Sequence, residues 1–301
     1  MGASPSLPAE PALVQFEPGD AAGLEVLGEI GRGAQAVVHR VRHRGTDYAL
    51  RLLHHDAAQH PGQAREFRRQ SALLASMQSP GLPRVHKVGL AGGRPYVVMD
   101  LVDGEALGAR LTRGPIRERA AVQIGADVAG ALRTAHEHDL VHRDVKPDNI
   151  IVTPEGAGRL VDFGLAAPAA GTTDAVAGTL VYCAPEQSGM LNRPVDARSD
   201  LYALGAVLFE CVTGAPPFAA ADVGELLHLH ATAPVPDPRA LAPGLSATFA
   251  AIIVRLLAKD PDDRYQSAQG LLADLRRLGA EPGATFAPGR TTGRPPCSRR
   301  R

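Results

Sequence analysis

The fold is decided by the stretch His142-Arg143-Asp144-Val145-Lys146-Pro147-Asp148-Asn149, which is followed shortly by Asp162-Phe163-Gly164. Within this segment Asp144 can act as a base and Lys146 supplies a cation. Asn149 and Asp162 offer oxygen ligands to a hard metal ion. The alternative is a polar loop whose aspartates cap a helix and whose lysine is solvated. A lone His-Arg-Asp triplet would suit that alternative, but the ordered run followed by a second metal-ligand motif favours a reactive site.

These side chains suit phosphoryl transfer. In that reaction a protein mainly positions a hydroxyl, holds magnesium and neutralises charge on the transferred oxygens. Asp144 would accept the proton of the attacking hydroxyl, and Lys146 would contact the transferred phosphate. Asn149 and Asp162 would hold Mg²⁺. The order and spacing of the motifs resemble the bacterial serine/threonine protein kinases of the eukaryotic-like protein kinase family.

The resemblance extends over about residues 24 to 278 and implies a fold of the α+β class with two lobes. The smaller lobe would hold a five-stranded antiparallel sheet and a helix, and the larger lobe would be mainly helical. We predict a flexible leader at residues 1–20 and a kinase domain at residues 21–279. The lobes would meet near residue 102, so that the small lobe spans about 21–102 and the large lobe about 103–279. Gly, Pro and Arg dominate residues 280–301, which predicts a disordered basic tail.

The bulk properties of the 301 residues favour a cytoplasmic protein. The 32 cationic and 32 anionic side chains balance, which gives no general reason to expect a nucleic-acid partner. No apolar run is long enough to cross a bilayer, so we expect no integral membrane segment. Cys183, Cys211 and Cys297 show no paired or metal-like spacing, so we expect free thiols.

Several helices can be predicted from periodicity and capping residues. The apolar run 200–209 predicts a buried central helix. Asp222, Ser246 and Ser267 are suitable N-caps for three later helices, and Gly279 is a suitable stop for the last of them.

Gly31 and Gly33 lie at the tip of a predicted hairpin, where backbone amides could approach phosphates. Alone, this signal is weak, because a glycine-bearing hairpin is usually just a tight turn. Ala36 replaces the third glycine of the family pattern. The resemblance implies that ATP contacts Ile30, Gly31, Arg32, Gly33, Val38, Ala49, Arg51, Met99, Asp100, Val102 and Ile151.

Two positions depart from the family pattern. Arg51 stands where the resemblance implies an ATP-positioning lysine, and Gln70 stands where it implies the glutamate partner of that lysine. Arginine keeps the charge but differs from lysine in shape and hydration. Two interpretations stay open: a working enzyme whose rate these changes limit, or a pseudokinase that serves as a nucleotide-binding scaffold. Only three of the 32 cations are lysines, yet Lys146 is one of them, which favours activity.

The segment from Asp162 to Glu186 resembles a kinase activation segment. The resemblance implies that Arg143 pairs with a phosphorylated loop, for which Thr172 and Thr173 are candidate acceptors, and that Thr179 contacts the base and Lys146. The alternative is that Thr172 and Thr173 merely lie in a mobile loop. Lys146 favours serine and threonine over tyrosine as substrates. Proteins with Ser or Thr would be the partners, together with ATP, and self-association for autophosphorylation stays open.

Three further residues have predicted structural roles. Glu186 and Arg264 would form a buried ion pair, and Asp200 would hold the backbone of the His142 loop. The alternative for Arg264 is one more exposed cation in Asp262-Asp263-Arg264.

Overall fold

The computed structural model describes residues 23–33, 35–163, 180–281 and 283–289. These residues divide into two compact units. The first unit holds the described residues up to Ser71 together with Val85–Leu101, and the second holds Ala72–Arg84 and the described residues from Val102 onward. No helix within the described ranges is both long and apolar enough to cross a membrane.

The first unit contains a five-stranded antiparallel sheet whose strand order is β1-β2-β3-β5-β4. Gly92 and Gly93 join β4 to β5 and both have positive φ, which is the requirement of a tight two-residue hairpin turn. One face of the sheet buries Val41, Leu50 and Tyr96. The elements are β1 (Glu25–Arg32), β2 (Ala36–His43), β3 (Thr46–Leu53), α1 (His55–Gln59), α2 (Pro61–Ser76), β4 (Val85–Ala91) and β5 (Arg94–Asp100).

The second unit is mainly helical and carries a small three-stranded sheet. Its elements are β6 (Glu105–Ala106), α3 (Leu107–Leu111), α4 (Glu118–His136), β7 (Ile150–Val152), β8 (Gly158–Leu160), α5 (Ala197–Thr213), α6 (Val223–Thr232), α7 (Pro238–Leu241), α8 (Ala247–Leu256) and α9 (Ala268–Ala280). The sheet of the first unit and the helices of the second confirm the predicted α+β class.

Helix α5 is the centre of the second unit, as its apolar sequence predicts. It is buried on nearly every side. Gly205 lets α8 approach closely, because a Cβ at this position would lie 2.6 Å from the Cβ of Leu256. The apolar faces of α4, α8 and α9 complete the core around α5.

The predicted N-caps are confirmed. The side chains of Asp222, Ser246 and Ser267 accept hydrogen bonds from backbone amides in the first turns of α6, α8 and α9. The predicted stop at Gly279 is wrong by one residue, because α9 continues to Ala280. Gly279 has helical neighbours on both sides and no positive φ, so it does not act as a C-terminal glycine cap.

The lobe boundary differs from the prediction in one segment. Ala72–Arg84 groups with the second unit rather than with the first. The reason is packing, since Met77 and Leu82 are buried in the core that contains α4 and α5. The backbone of Gly81 also accepts a hydrogen bond from Leu160 N at 2.8 Å.

Residues 283–289, which we name the C-terminal strap, fall within the predicted disordered tail but are packed against the second unit. Asp274 Oδ2 accepts a hydrogen bond from Gly289 N at 2.6 Å, and Arg255 donates to Pro288 O at 2.6 Å. Gly289 has φ +74°, and a Cβ there would lie 2.6 Å from the guanidinium carbon of Arg255. Further contacts join Thr248 to Ala284 and Arg277 to the ring of Phe286. The predicted leader lies outside the described residues, as do residues 290–301.

The described cysteines are free thiols, as predicted. Burial raises the pKa of both Cys183 and Cys211 to about 12, so both stay protonated at neutral pH. Cys297 lies outside the described residues.

Candidate active site

The loop of residues 142–149, between α4 and β7, is held by Asp200 at the start of α5. The two carboxylate oxygens of Asp200 accept from His142 N at 2.8 Å and from Arg143 N at 2.7 Å. Arg143 has φ +66°, a left-handed conformation that costs a non-glycine residue about 1–2 kcal/mol. The bonds to the buried Asp200 carboxylate help to hold this strained backbone in place.

His136 completes this anchor and was not among the residues predicted from the sequence. Its Nε2 lies 2.8 Å from Asp200 Oδ2, at the last residue of α4. The signal was present: Ile124, Val128 and Leu132 recur at intervals of four residues, and His136 is the next position on the same face. A histidine on an apolar stripe needs a polar partner when it is buried.

His142 joins this loop to the segment that carries Asp162. Its ring is fully buried, and its Nδ1 accepts from Asp144 N at 3.3 Å. The ring proton is therefore on Nε2, which donates to Val161 O at 3.1 Å. The ring also packs 4.4 Å from the ring of Phe163.

Asp144, Lys146 and Asn149 form one hydrogen-bonded group. Asp144 Oδ2 accepts from Lys146 Nζ at 2.9 Å and from Asn149 Nδ2 at 3.0 Å. Asn149 Nδ2 also donates to the backbone oxygen of Asp144 at 2.8 Å. Both amide protons of Asn149 thus face acceptors on Asp144, which directs the amide oxygen elsewhere.

The hairpin of β7 and β8 brings Asn149 towards Asp162. Ile150 pairs with Leu160 in the ladder, and Asn149 O accepts from Val161 N at 2.9 Å. Asp162 follows directly, with φ +61°. Asn149 and Asp162 therefore lie next to the same end of the β7–β8 hairpin. They supply an amide oxygen and a carboxylate, which are the hard donors that Mg²⁺ prefers.

In the first unit, the sheet places several predicted nucleotide residues on one face. Val38 lies opposite Arg51, and Ala49 lies opposite Met99, in the ladders that join β2, β3 and β5. Directly paired residues share a face of the sheet, as do residues two apart along a strand. Gly31 pairs with Val38 and extends the set into β1.

The glycines of the predicted phosphate loop are not required by the fold of the first unit. Neither Gly31 nor Gly33 has a positive φ. A Cβ at Gly31 would lie 3.9 Å from the Cβ of Val38, and one at Gly33 would lie 3.7 Å from Ala36 O, both ordinary contacts. The described residues would thus accommodate an alanine at either position, and the missing Cβ leaves backbone open to a ligand.

Arg51 and Gln70, the two departures from the family pattern, are both buried in the first unit. The Arg51 guanidinium carbon lies 5.5 Å from the ring centroid of Phe67. Gln70 Nε2 donates to Glu66 Oε1 at 3.0 Å, and Glu66 also pairs with Arg69 at 2.7 Å. Gln70 and Arg69 therefore share the carboxylate of Glu66, which lies one helical turn before Gln70.

The remaining residues that were predicted to contact ATP are divided between the two units. Ile30 is 51% exposed, Arg32 pairs with Glu29, and Asp100 lies 2.6 Å from His86 Nε2. These residues belong to the first unit, whereas Val102 and Ile151 belong to the second. Thr172, Thr173 and Thr179 lie outside the described residues.

Glu186 and Arg264 form a bidentate ion pair whose side chains are both fully buried. Arg264 donates to both Glu186 oxygens, at 2.7 and 2.8 Å. Its other three N–H groups donate to backbone oxygens of Arg198, Ala258 and Lys259. All five guanidinium donors are satisfied, which is what a buried arginine requires.

Comparison with known proteins agrees with this geometry. The family model described as "Protein kinase domain" matches residues 24–274. The serine/threonine-protein kinase PknB of Mycolicibacterium smegmatis is 40% identical over 269 residues, which are 84% of this chain and 42% of that protein. The serine/threonine-protein kinase PknH of Mycobacterium bovis is 37% identical over 252 residues, covering 80% of this chain and 41% of the relative. The chain thus spans less than half the length of these relatives.

The solved structures agree as well. The kinase domain of PknI from Mycobacterium tuberculosis superimposes with a TM-score of 0.69 and 29% identity, covering 90% of this chain and all of that domain. The predicted two-lobed kinase fold is therefore confirmed, as is the predicted class of relatives. The chain belongs to the protein kinase domain family, among relatives of the serine/threonine type.

Proposed function

We propose that this chain is a serine/threonine protein kinase that transfers the γ-phosphate of ATP to hydroxyls of protein substrates. The observation that carries the proposal is the group formed by Asp144, Lys146 and Asn149 on a loop fixed by Asp200. Members of the family use ATP and a divalent metal ion. The names of the relatives support serine and threonine as acceptors.

Each side chain has a role in this proposal. Lys146 and Asn149 both bind Asp144 Oδ2, and neither of these bonds engages Oδ1. Asp144 Oδ1 would accept the proton of the substrate hydroxyl as that oxygen attacks phosphorus. Lys146 would stabilise charge on the transferred phosphoryl oxygens. The backbone at Gly31 and Gly33 would cover the phosphates of ATP.

We assign Mg²⁺ as the metal ion, with Asn149 and Asp162 as its protein ligands. Within the described residues, no group of three or more His, Cys, Asp or Glu could hold a metal ion. Mg²⁺ suits a site with few protein ligands, because it is usually bound by one or two carboxylates, substrate phosphates and water. When bound, the ion would neutralise charge on the phosphate oxygens.

The decisive experiment measures Mg²⁺-dependent transfer of labelled phosphate from ATP to a protein substrate, with Asp144→Ala as control. We expect transfer by the wild type and none by Asp144→Ala, with ATP binding retained in both. Binding of ATP without transfer would support a nucleotide-binding scaffold instead. An intact fold that shows neither binding nor transfer would overturn both.

Mapping of the phosphorylated sites tests the acceptor class. We expect phosphoserine or phosphothreonine, with Thr172, Thr173 and Thr179 as the leading sites on the chain itself. Phosphotyrosine alone would contradict the proposal. A cytoplasmic location, self-association for autophosphorylation and the lack of a nucleic-acid partner stay predictions.

A further inference from the structure

The side chain of Gln187 links two parts of the second unit that are 44 residues apart in sequence. Its Nε2 donates to Arg143 O at 2.9 Å, and its Oε1 accepts from Ala184 N at 3.1 Å. Gln187 belongs to the short 3₁₀ turn Pro185–Ser188, whereas Arg143 directly precedes the candidate base Asp144. One side-chain amide therefore binds both the turn and the loop of residues 142–149.

The backbone that carries Gln187 is anchored in the core of the second unit. The preceding residue, Glu186, binds Arg264 through both carboxylate oxygens. Glu186 Oε1 also accepts from Ser199 Oγ at 2.7 Å. Arg264 and Ser199 are both fully buried. The amide of Gln187 therefore extends towards Arg143 from a backbone that the buried ion pair holds in place.

The peptide between Arg143 and Asp144 is bound at both of its polar groups. Arg143 O accepts from Gln187, and Asp144 N donates to His142 Nδ1 at 3.3 Å. Of these two bonds, only that from Gln187 comes from outside the loop. A peptide is planar, so binding its oxygen and its N–H fixes the plane from which Asp144 extends. Arg143 has φ +66°, a conformation that persists only where the surrounding structure holds it.

We propose that Gln187 is a positioning residue for Asp144. By binding Arg143 O, it holds the peptide that precedes the base and thereby directs the Asp144 carboxylate towards the substrate hydroxyl. The inference rests on the proposed function, because it requires Asp144 to act as the base. The rate of the phosphoryl-transfer step, rather than the affinity for ATP, then depends on Gln187.

Two substitutions of similar size separate the two bonds of Gln187. In Gln187→Glu, one carboxylate oxygen can still accept from Ala184 N, but the other faces Arg143 O, and two acceptors cannot form a hydrogen bond. Gln187→Met can form neither bond. If the bond to Arg143 matters, both variants should therefore be slower than the wild type.

Ser188, the next residue of the same turn, supplies a matched control. Its hydroxyl donates to Pro185 O at 2.6 Å and accepts from Met190 N at 3.2 Å. Ser188→Ala removes these local bonds and leaves the bond between Gln187 and Arg143 in place.

The test measures single-turnover transfer of labelled phosphate from ATP to casein, together with the dissociation constant of ATP, for the wild type and these three variants. Gln187→Met should lower the transfer rate by about two- to tenfold, the loss expected for one hydrogen bond. Gln187→Glu should lower it at least as much, because two oxygens then face each other. Ser188→Ala should match the wild type. ATP affinity should not change in any variant, so in steady-state assays kcat should fall while the KM for ATP stays constant.

A loss of rate in both Gln187 variants, with unchanged ATP affinity, supports the inference. A loss in Gln187→Met alone would assign the effect to the bond with Ala184, and a loss in Gln187→Glu alone would assign it to the added charge. Either result overturns the inference, as does an equal loss in Ser188→Ala. If Gln187→Met does not fold, Gln187→Lys replaces it as a donor without an acceptor. Retained transfer in Gln187→Lys with a loss in Gln187→Glu then supports the inference, and any other pattern overturns it.

The wild type distinguishes failure of this inference from failure of the proposed function. A wild type that transfers no phosphate overturns both together. A wild type that transfers phosphate at a rate that the Gln187 variants share overturns only the inference.

Discussion

Among single residues, Arg264 gives the clearest energetic prediction, because both it and Glu186 are fully buried. Removing one partner leaves a buried charge without compensation. We expect Arg264→Ala to lower the free energy of unfolding by about 3–5 kcal/mol. Denaturant titration measures this loss.

Arg193→Ala is the matched control, since Arg193 pairs with Asp260 at 2.9 Å while both side chains are more than 40% exposed. An exposed pair contributes at most about 1 kcal/mol. Equal losses in the two variants would show that the buried pair contributes no more to the free energy of unfolding than the exposed pair.

Arg51 and Gln70 give a second prediction at this scale. The double variant Arg51→Lys with Gln70→Glu should raise the rate of phosphate transfer by more than the two single changes combined. The reason is that the two side chains are expected to act as one unit. Coupling between contacting residues is about 0.5–3 kcal/mol, so the extra gain should be about two- to hundredfold. A double-mutant cycle on kcat/KM for ATP measures it.

Two outcomes would contradict this expectation. If the double variant binds nucleotide but is as inactive as Asp144→Ala, the pseudokinase interpretation replaces ours. If the wild type is fast and the double variant is slower, Arg51 is already a working contact. Glu66 is the expected partner of Arg51 in that case, so Glu66→Gln should be the damaging substitution.

At the scale of elements, the contact between α5 and α8 depends on Gly205. Gly205→Ala places a Cβ 2.6 Å from Leu256 Cβ and 3.4 Å from the Leu256 backbone carbon. We expect a loss of about 1–3 kcal/mol, the range for overpacked cores. Thermal and denaturant unfolding measure it.

Gly130→Ala in α4 is the control, because no atom lies within 4 Å of the added Cβ. Alanine is the better helix former by up to about 1 kcal/mol, so this variant should be neutral or more stable. A Gly205→Ala variant as stable as Gly130→Ala would show that α8 can move away from α5 without cost.

The elements also show how far the sequence predicts the structure. Ser246 and Ser267 were predictable as caps because an N-cap bond is local and depends on neighbouring residues. The central place of α5 was predictable because its apolar run is also a local feature of the sequence. The strap was not predictable, because its Gly and Pro content suggests disorder while its stability comes from tertiary contacts with Asp274 and Arg255.

The same distinction holds at the candidate site. The motifs predicted Asp144 and Asn149 as site residues, and the structure shows them in contact. The sequence did not predict His136 as a partner of Asp200, since 64 residues separate them and only the fold brings them together.

At the scale of the whole molecule, His230 predicts how stability depends on pH. Burial, aided by the charge of Lys259, lowers its pKa to about 4. An unfolded chain would bind the proton near pH 6.5, so between pH 6.5 and 4 the unfolded state binds more protons than the folded state. The contribution of His230 to the free energy of unfolding is therefore fully present above pH 6.5 and is lost as the pH falls towards 4. From pH 7 to pH 5 we expect this group to remove about 2 kcal/mol.

Unfolding of His230→Gln across the same pH range checks this expectation. Glutamine does not titrate. Its side chain can still form a hydrogen bond with the Tyr202 hydroxyl, which in the wild type lies 2.8 Å from His230 Nδ1. Its unfolding free energy should change less between pH 7 and pH 5 than that of the wild type. His228→Gln, an exposed site on the same helix, should keep the wild-type slope. Identical slopes in all three proteins would contradict the assignment.

The C-terminal strap also decides where any continuation of the polypeptide leaves the second unit. Without the strap, the exit would be the end of α9 at Ala280. With Gly289 bonded to Asp274, the chain doubles back along α9 and departs beside Arg255 of α8. A reporter protein fused after residue 289 would therefore be anchored at the surface of α8 and α9, and a bulky residue in place of Gly289 would release that anchor.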